Sequence, residues 1–153
     1  MGNASHATDS LAQRSACPPA ALLARLNPRR WPGEYVFSSV ASLDGIEPAE
    51  HIALIRETEG WTLISQRRST AQPDDANTPC YAAITLEVNS ALADIGLTAA
   101  ISDTLATAGI ACNVLAGFHH DHLFVPIERS EQALALLNDL QRTYSSTPHS
   151  DPA

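Results

Sequence analysis

The second half of the chain carries an order of patterns that few folds accommodate. Residues 81–88 alternate apolar and polar side chains, with Ile84 and Leu86 on one face, which is typical of a half-buried strand. The pattern then predicts that this strand ends at Asn89–Ser90 and is followed by a helix that runs to about Ala108, two strands and a second helix. This order supplies all the elements of a ferredoxin-like unit except its last strand. That strand is missing from the second half of the chain.

Local signals bound the helices and the hairpin of this half. The first helix has an apolar stripe at Leu97, Ile101 and Leu105, and Gly109 is expected to end it in a left-handed conformation. Ser130 is expected to cap the last helix. The two strands between the helices are expected over residues 110–118 and 123–127, joined by a hairpin loop over residues 119–122.

The first half of the chain offers mainly strands. Tyr35–Val40 is rich in aromatic and β-branched residues, and residues 52–55 and 61–64 are expected to pair as an antiparallel hairpin, after a short helix at 20–26. An exposed strand edge is a liability, so we expect Tyr35–Val40 to supply the missing partner. The expected fold class is α+β, with two ferredoxin-like modules, antiparallel sheets that are shared or continuous, and helices on one face. The expected organisation is a disordered leader over residues 1–18, modules over 19–78 and 79–142, and a disordered tail over 143–153.

Composition excludes several functional classes. The nine basic residues are all arginine, so Schiff-base chemistry and a Walker phosphate loop, which both need lysine, are ruled out. The net charge of −8 makes nucleic acid an unexpected partner. No apolar run reaches the ~20 residues that span a bilayer, and the first residues have neither the basic nor the apolar stretch expected of a secretory signal, so none is expected. With three scattered cysteines and no disulfide framework, we expect a cytoplasmic protein without a membrane partner.

Stretches of the sequence also match a known family. They include GLTAA from Gly96, GI from Gly109, NV from Asn113 and HDHLFVP from His120, in the family's order. On these stretches the chain resembles the small bacterial tandem ACT-domain proteins, over most of its length. ACT domains are regulatory modules that bind amino acids or other small ligands at interfaces between modules. The resemblance implies that role here, with two ACT-type βαββαβ modules.

The turn between the first strand and first helix of the second half is the first candidate ligand site. A helix start presents unpaired N–H groups and a partial positive charge, which can hold the carboxylate of a free amino acid. The resemblance also places the ligand-contacting loop here. The alternative is that the turn only caps the helix. The candidate ligand-binding residues of this turn are Asn89, Ser90, Ala91, Asp94, Ile95 and Gly96.

A histidine-rich loop is the second candidate, and three interpretations of it stay open. His120 and His122 are two residues apart and are expected to project to one face, which suits a metal pair if a further ligand such as His51 or Glu57 joins them. In the second interpretation, which we favour, Asp121 accepts the ammonium group of an amino-acid ligand and His122 orients it. In the third, the loop is a polar turn in which Asp121 accepts hydrogen bonds from backbone amides.

Other candidate residues lie on separate elements. Glu57 and Glu59 are candidates for the opposite wall of an inter-module pocket, although adjacent glutamates in a hairpin usually form a solvated turn. Asn113 is expected to face away from Val114, either reaching the ligand or pairing with a neighbouring loop. Trp31 is expected to be a core anchor rather than a ligand platform.

We therefore expect a regulatory sensor that binds a small molecule, an amino acid or a related metabolite, in the groove between two ACT-like modules. We expect no catalysis and no cofactor, because nucleophile and phosphate-loop motifs are lacking. By analogy with side-by-side ACT pairing, a homodimer is expected. Two alternatives remain: a metal-binding or metal-dependent protein that uses residues 119–122, and a dimerisation module whose ligand site has degenerated.

Overall fold

The computed structural model describes residues 19–67, 78–89 and 94–146. In these ranges the first half of the chain forms mainly strands, and the two long helices lie in the second half, as the sequence predicts. Two short 3-10 turns, Pro48–Glu50 and Ile127–Arg129, precede the strand that begins at His51 and the helix that begins at Ser130. The elements are α1 (Pro19–Leu23), β1 (Pro28–Arg30), β2 (Tyr35–Val40), β3 (His51–Arg56), β4 (Trp61–Gln66), β5 (Tyr81–Leu86), α2 (Leu97–Thr107), β6 (Asn113–Ala116), β7 (Asp121–Pro126) and α3 (Ser130–Ser145).

The strands form one continuous antiparallel sheet in the order β3-β4-β2-β5-β7-β6, and β1 also pairs with β5. This confirms the expected sheet across both halves. The expectation that Tyr35–Val40 pairs with β5 was only partly right, since β2 meets β5 at the single pair Tyr35–Tyr81. The short strand β1 borders the remainder of that edge. Pro32 and Gly33 form a turn between β1 and β2, and Gly33 has a φ of +89°. Because of this turn, β1 and β2 pair with different parts of the same edge of β5.

The helices pack on one face of the sheet, as expected. The stripe Leu97, Ile101 and Leu105 of α2 is buried against β5 and β7. The expectation that β5 is half-buried was wrong, because Ala83 and Thr85 are also buried, at 2% and 5% exposure, on the opposite face. A strand that lies in the middle of a sheet between two packed layers loses the alternation in exposure that an edge or surface strand keeps.

The face opposite the helices carries an aromatic cluster that joins the two halves of the chain. The Phe124 ring, on β7, stands edge-on to the rings of Tyr35 and Phe37 on β2, at 6.3 and 5.3 Å between centroids. Phe37 also packs edge-on against Tyr81 at 5.2 Å. The Tyr35 hydroxyl donates a hydrogen bond of 2.9 Å to the Pro32 carbonyl oxygen. We call this surface the aromatic face.

Several predicted boundaries were wrong. Helix α2 begins at Leu97 rather than directly after Asn89–Ser90, because Gly96 precedes it in a left-handed conformation, with φ of +97°. Strand β6 covers Asn113–Ala116 only, because the Ile110 amide donates 2.9 Å to the Leu105 carbonyl oxygen and closes the end of α2. The left-handed Gly109 in this closure was predicted correctly.

The last helix also differs from its prediction. Ser130 is the first residue of α3 and not its cap, because the chain enters the helix directly from the 3-10 turn before it. The helix continues to Ser145, into the segment expected to be a disordered tail. The expected leader over residues 1–18, most of the polar segment over 66–79 and the end of the tail lie outside the described residues. Within the described ranges, no helix is both long enough and apolar enough to cross a bilayer.

The aromatic face gives a matched stability test. Phe124 is 1% exposed and Phe118, in the β6–β7 turn, is 63% exposed. We expect Phe124→Ala to lower the free energy of unfolding by about 3–5 kcal/mol, because it removes the ring that packs on both halves. Phe118→Ala is expected to change it by about 0.5 kcal/mol or less. Urea unfolding followed by circular dichroism measures the free energy of unfolding of both variants. An equal loss in the two would contradict the conclusion that the Phe124 ring holds the two halves of the chain together.

Candidate functional site

The carboxyl end of β5 lies beside Asp121 and the chain segment that leads to α2, two of the predicted parts of the ligand site. Here the chain leaves the sheet at Leu86 and returns through residues 94–96 to the amino end of α2. The register of the sheet places Asp121, the first residue of β7, opposite Leu86. The segment that leads into β1 lies along the other side, since the Glu87 amide donates 3.3 Å to the Asn27 carbonyl oxygen. We call this region the strand-end site.

Two carboxylates flank the strand-end site, and only one of them is paired. Glu87 accepts hydrogen bonds from Asn27 Nδ2 at 2.7 Å and from Arg29 Nη1 at 3.2 Å. Asp121 is half-buried, yet no hydrogen bond or ion pair joins its carboxylate to another residue of the described ranges. Burial raises the pKa of Asp121, and the neighbouring His122 and His120 only partly oppose this. Within the described residues, Asp121 is therefore a partly desolvated acceptor that has the electrostatic influence of two histidines but no hydrogen bond or ion pair.

The amino end of α2 carries a partial positive charge, opposite in sign to the Asp121 carboxylate. Gly96 occupies the capping position, and no side chain caps the helix there. The first backbone hydrogen bond of the helix runs from the Ala100 amide to the Gly96 carbonyl oxygen at 3.0 Å. The N–H groups before Ala100 have no acceptor inside the helix, and a helix amino terminus favours an anionic group. Asp94 and Ile95 lie just before it, and Ile95 is exposed.

His120 and His122 form hydrogen bonds with different parts of the chain. His120 lies in the β6–β7 turn, with Nδ1 at 3.4 Å from the Val88 carbonyl oxygen. His122 lies on the aromatic face, where Nδ1 forms a hydrogen bond of 2.8 Å with Thr85 Oγ1 and the ring stands edge-on to Trp31. Burial, with the like charge of His120, lowers the pKa of His122. In the described part of the chain, no three His, Cys, Asp or Glu side chains form a group that could hold a metal ion.

The remaining candidate residues lie apart from the strand-end site. Asn113 and Val114 are on the edge strand β6, opposite Phe124 and Leu123 respectively, so they face opposite sides of the sheet as predicted. Glu57 and Glu59 are exposed in the β3–β4 turn. That turn lies at the other end of the sheet, so a single chain does not bring these glutamates to Asp121. Ser90 and Ala91 lie outside the described residues.

The structure contains a feature that sequence reasoning missed, a cleft of about 500 Å³ on the aromatic face. We call it the aromatic cleft. It lies between the halves of the chain, because His122 of β7 lines it together with residues from the first half. The only signal in the sequence was the pair of aromatic residues around the Pro32–Gly33 turn. Its lining residues are Trp31, Pro32, Tyr35, Ala49, Glu50, His51, Ile52, Gln66 and His122.

The unpaired carboxylate gives a pH-dependent prediction. Because burial raises the pKa of Asp121 in the folded protein, the folded chain binds this proton more tightly than the unfolded chain. Ionised Asp121 therefore destabilises the fold above its folded-state pKa, and the effect disappears below the unfolded value of about 3.9. We expect Asp121→Asn to raise the free energy of unfolding at neutral pH, with a gain that shrinks as the pH falls.

Urea unfolding across pH measures this gain, and the matched control is Glu59→Gln, which removes an exposed carboxylate at the other end of the sheet. The control is expected to leave stability nearly unchanged at every pH. A loss of stability in Asp121→Asn at neutral pH would contradict the assignment of Asp121 as unpaired.

Comparisons with known proteins support two ACT-type units in this chain. Models of ACT domain families match residues 20–75 and residues 78–139. The division falls between β4 and β5, so the shared sheet runs across both matched regions. No curated protein sequence gives a significant match.

Solved structures give the same result. A crystal structure of a Vibrio cholerae protein, described as of unknown function and a possible transport protein, is 40% identical. It matches over 78% of this chain and 92% of its own, with a TM-score of 0.68. A crystal structure from Agrobacterium tumefaciens, 17% identical with a TM-score of 0.57 over 74% of this chain and 87% of its own, shares the fold. This chain therefore belongs to the ACT-domain family, as a small protein with two ACT-type domains in tandem.

Proposed function

We propose that this protein binds a free amino acid at the strand-end site, where its two ACT domains meet, and transmits that signal as a regulator. The family supports a regulatory, small-molecule-binding role. The observation that carries the finer proposal is Asp121, a half-buried carboxylate that has neither a hydrogen bond nor an ion pair within the described residues. A desolvated carboxylate is costly to maintain unless a cation meets it, and the ammonium group of an amino acid is such a cation.

The surroundings of Asp121 suit the other end of the same ligand. The uncapped amino end of α2 would hold the ligand's carboxylate through backbone N–H groups. The connection from β5 to α2 would line the site through Asn89, Ser90, Ala91, Asp94 and Ile95. A zwitterion placed between an acidic side chain and a helix amino terminus has both of its charges complemented.

The N-terminal domain borders the proposed site through Glu87. Asn27 and Arg29 hold that carboxylate, so the first domain contacts the start of the β5–α2 connection directly. A ligand bound against this connection would therefore change the contact between the domains. We propose that this change is the regulatory output.

The proposal also covers catalysis, oligomeric state and location in the cell. The protein would have no catalysis of its own, because ACT domains act as regulators and not as catalysts. It would be a homodimer, because such domains typically associate and β6 has one strand edge without a partner in the described sheet. It would be cytoplasmic, which the free thiols of Cys80 and Cys112 support.

A panel of the common amino acids tests the proposal by thermal shift. At a concentration of one hundred times Kd, the binding amino acid is expected to stabilise the protein by about 2.7 kcal/mol and to raise Tm. Chelator is expected to leave the shift unchanged. Asp121→Asn is expected to weaken binding by about tenfold or more, because it removes a charge-assisted contact, while Glu59→Gln is not.

Two outcomes would contradict the proposal. Stabilisation by divalent metal alone, abolished in a His120→Ala/His122→Ala double variant, would favour the metal interpretation. No response to any amino acid would favour a module that only associates with protein partners.

A further inference from the structure

Large apolar side chains are exposed at three positions of the described part of the chain, and two of them border the strand-end site. Ile95 is 78% exposed and Phe118 is 63% exposed, whereas Val114, on the edge strand β6, is less exposed than either. Exposed apolar residues that are scattered singly need no explanation, but apolar surface gathered beside a polar site is typical of a ligand-binding groove. The positions of Ile95 and Phe118 therefore indicate which ligand suits the site.

The register of the sheet places Phe118 just beyond the carboxyl end of β5. Asp121 pairs with Ala116 of β6 on one side and with Leu86, the last residue of β5, on the other. The turn over residues 117–120 therefore extends past the end of β5. Phe118 lies in this turn, three residues before Asp121.

The turn that carries Phe118 is tightly built. The Gly117 amide donates 3.0 Å to the His120 carbonyl oxygen, and a Cβ at Gly117 would lie 2.6 Å from that oxygen. His120 Nδ1, at 3.4 Å from the Val88 carbonyl oxygen, joins the turn to the start of the β5–α2 connection. The Phe118 ring stands edge-on to the His119 ring, with centroids 4.9 Å apart. Phe118 is thus presented beside this connection.

Ile95 lies on the other side of the site, at the end of the same connection. Gly96, which follows it, is left-handed and leads the chain into α2. Leu97 is buried, and the next three side chains of the first turn, over residues 98–100, are small. Ile95 is therefore the exposed bulky apolar side chain nearest in sequence to the N–H groups at the start of α2.

These two side chains can distinguish ligands that the charged parts of the site cannot. The ammonium and carboxylate groups are common to all free amino acids, so Asp121 and the amino end of α2 would meet them equally in each. A large apolar ligand side chain placed against Ile95 and Phe118 removes apolar surface from water on both partners. A polar side chain of the same shape gives up hydrogen bonds to water in the same place.

We propose that the strand-end site selects an amino acid with a large apolar side chain, which lies between Ile95 and Phe118. The selection rests on the proposed function, because Asp121 and the amino end of α2 hold the ligand's charges there. Ile95 and Phe118 are the residues that determine specificity.

Isothermal titration calorimetry of the full chain with four amino acids tests the selection. L-leucine and L-phenylalanine are the apolar probes. L-asparagine has nearly the shape of leucine but a polar side chain, and the side chain of L-alanine is a single methyl group. The better apolar probe is expected to bind at least about tenfold more tightly than either comparison.

Variants locate the source of this preference. Ile95 and Phe118 are exposed, so Ile95→Ala and Phe118→Ala keep the fold. Each is expected to weaken binding of the better apolar probe about fivefold and to leave alanine binding nearly unchanged. Val114→Ala, which shortens the third exposed apolar side chain, is the matched control and is expected to change neither. Asp121→Asn is expected to weaken both ligands equally, so the preference remains.

Three results would overturn the proposal. The first is asparagine or alanine binding as tightly as both apolar probes, which leaves amino-acid binding at the site intact. The second is a preference for the apolar probe that persists unchanged in Ile95→Ala and Phe118→Ala. The third is an unchanged preference together with weaker association of two copies in these variants, measured by sedimentation velocity, which would assign the apolar residues to a protein interface. Binding of no amino acid contradicts the proposed function itself.

Discussion

The position of β5 is the constraint on which the rest of the structure depends. This strand borders β7 along one edge and both β1 and β2 along the other, so it joins the strands of the two ACT domains into one sheet. Its residues contribute alternately to the core beneath the helices and to the cluster on the aromatic face. A slip of one residue in β5 would therefore exchange the side chains that it contributes to the two cores. The two domains therefore fold around a common strand.

The same strand explains where the ligand site would lie. At the carboxyl end of β5 the sheet stops, and the antiparallel register brings Asp121 to this point. The carboxylate is partly desolvated but has no partner within the described residues, while the nearby Glu87 has two. An unpaired group of this kind lowers stability, and proteins retain such groups mainly at functional sites. The proposed amino acid would supply the missing partner.

Local patterns in the sequence were sufficient for some elements and not for others. Tyr35–Val40 and the stripe of Leu97, Ile101 and Leu105 followed from alternation and helical spacing, which depend on near neighbours. The three-residue β1 was missed because Pro28–Arg30 has no strand-like alternation and is defined only by pairing with β5. The face occupied by His122, and the aromatic cleft beside it, likewise depend on contacts between distant segments. Asp121 was found because the family resemblance pointed to it, whereas its lack of a partner required coordinates.

The measurement that tests the central claim most directly is the pKa of the Asp121 carboxyl group, followed by NMR with and without the amino acid that stabilises the protein most. If the ligand's ammonium group meets this carboxylate, the pKa falls on binding, because a cation favours the ionised form. The amide signals of Gly96, Leu97 and Thr98 shift in the same titration. An unchanged pKa at Asp121, with amide shifts confined to other parts of the protein, would contradict the proposed site.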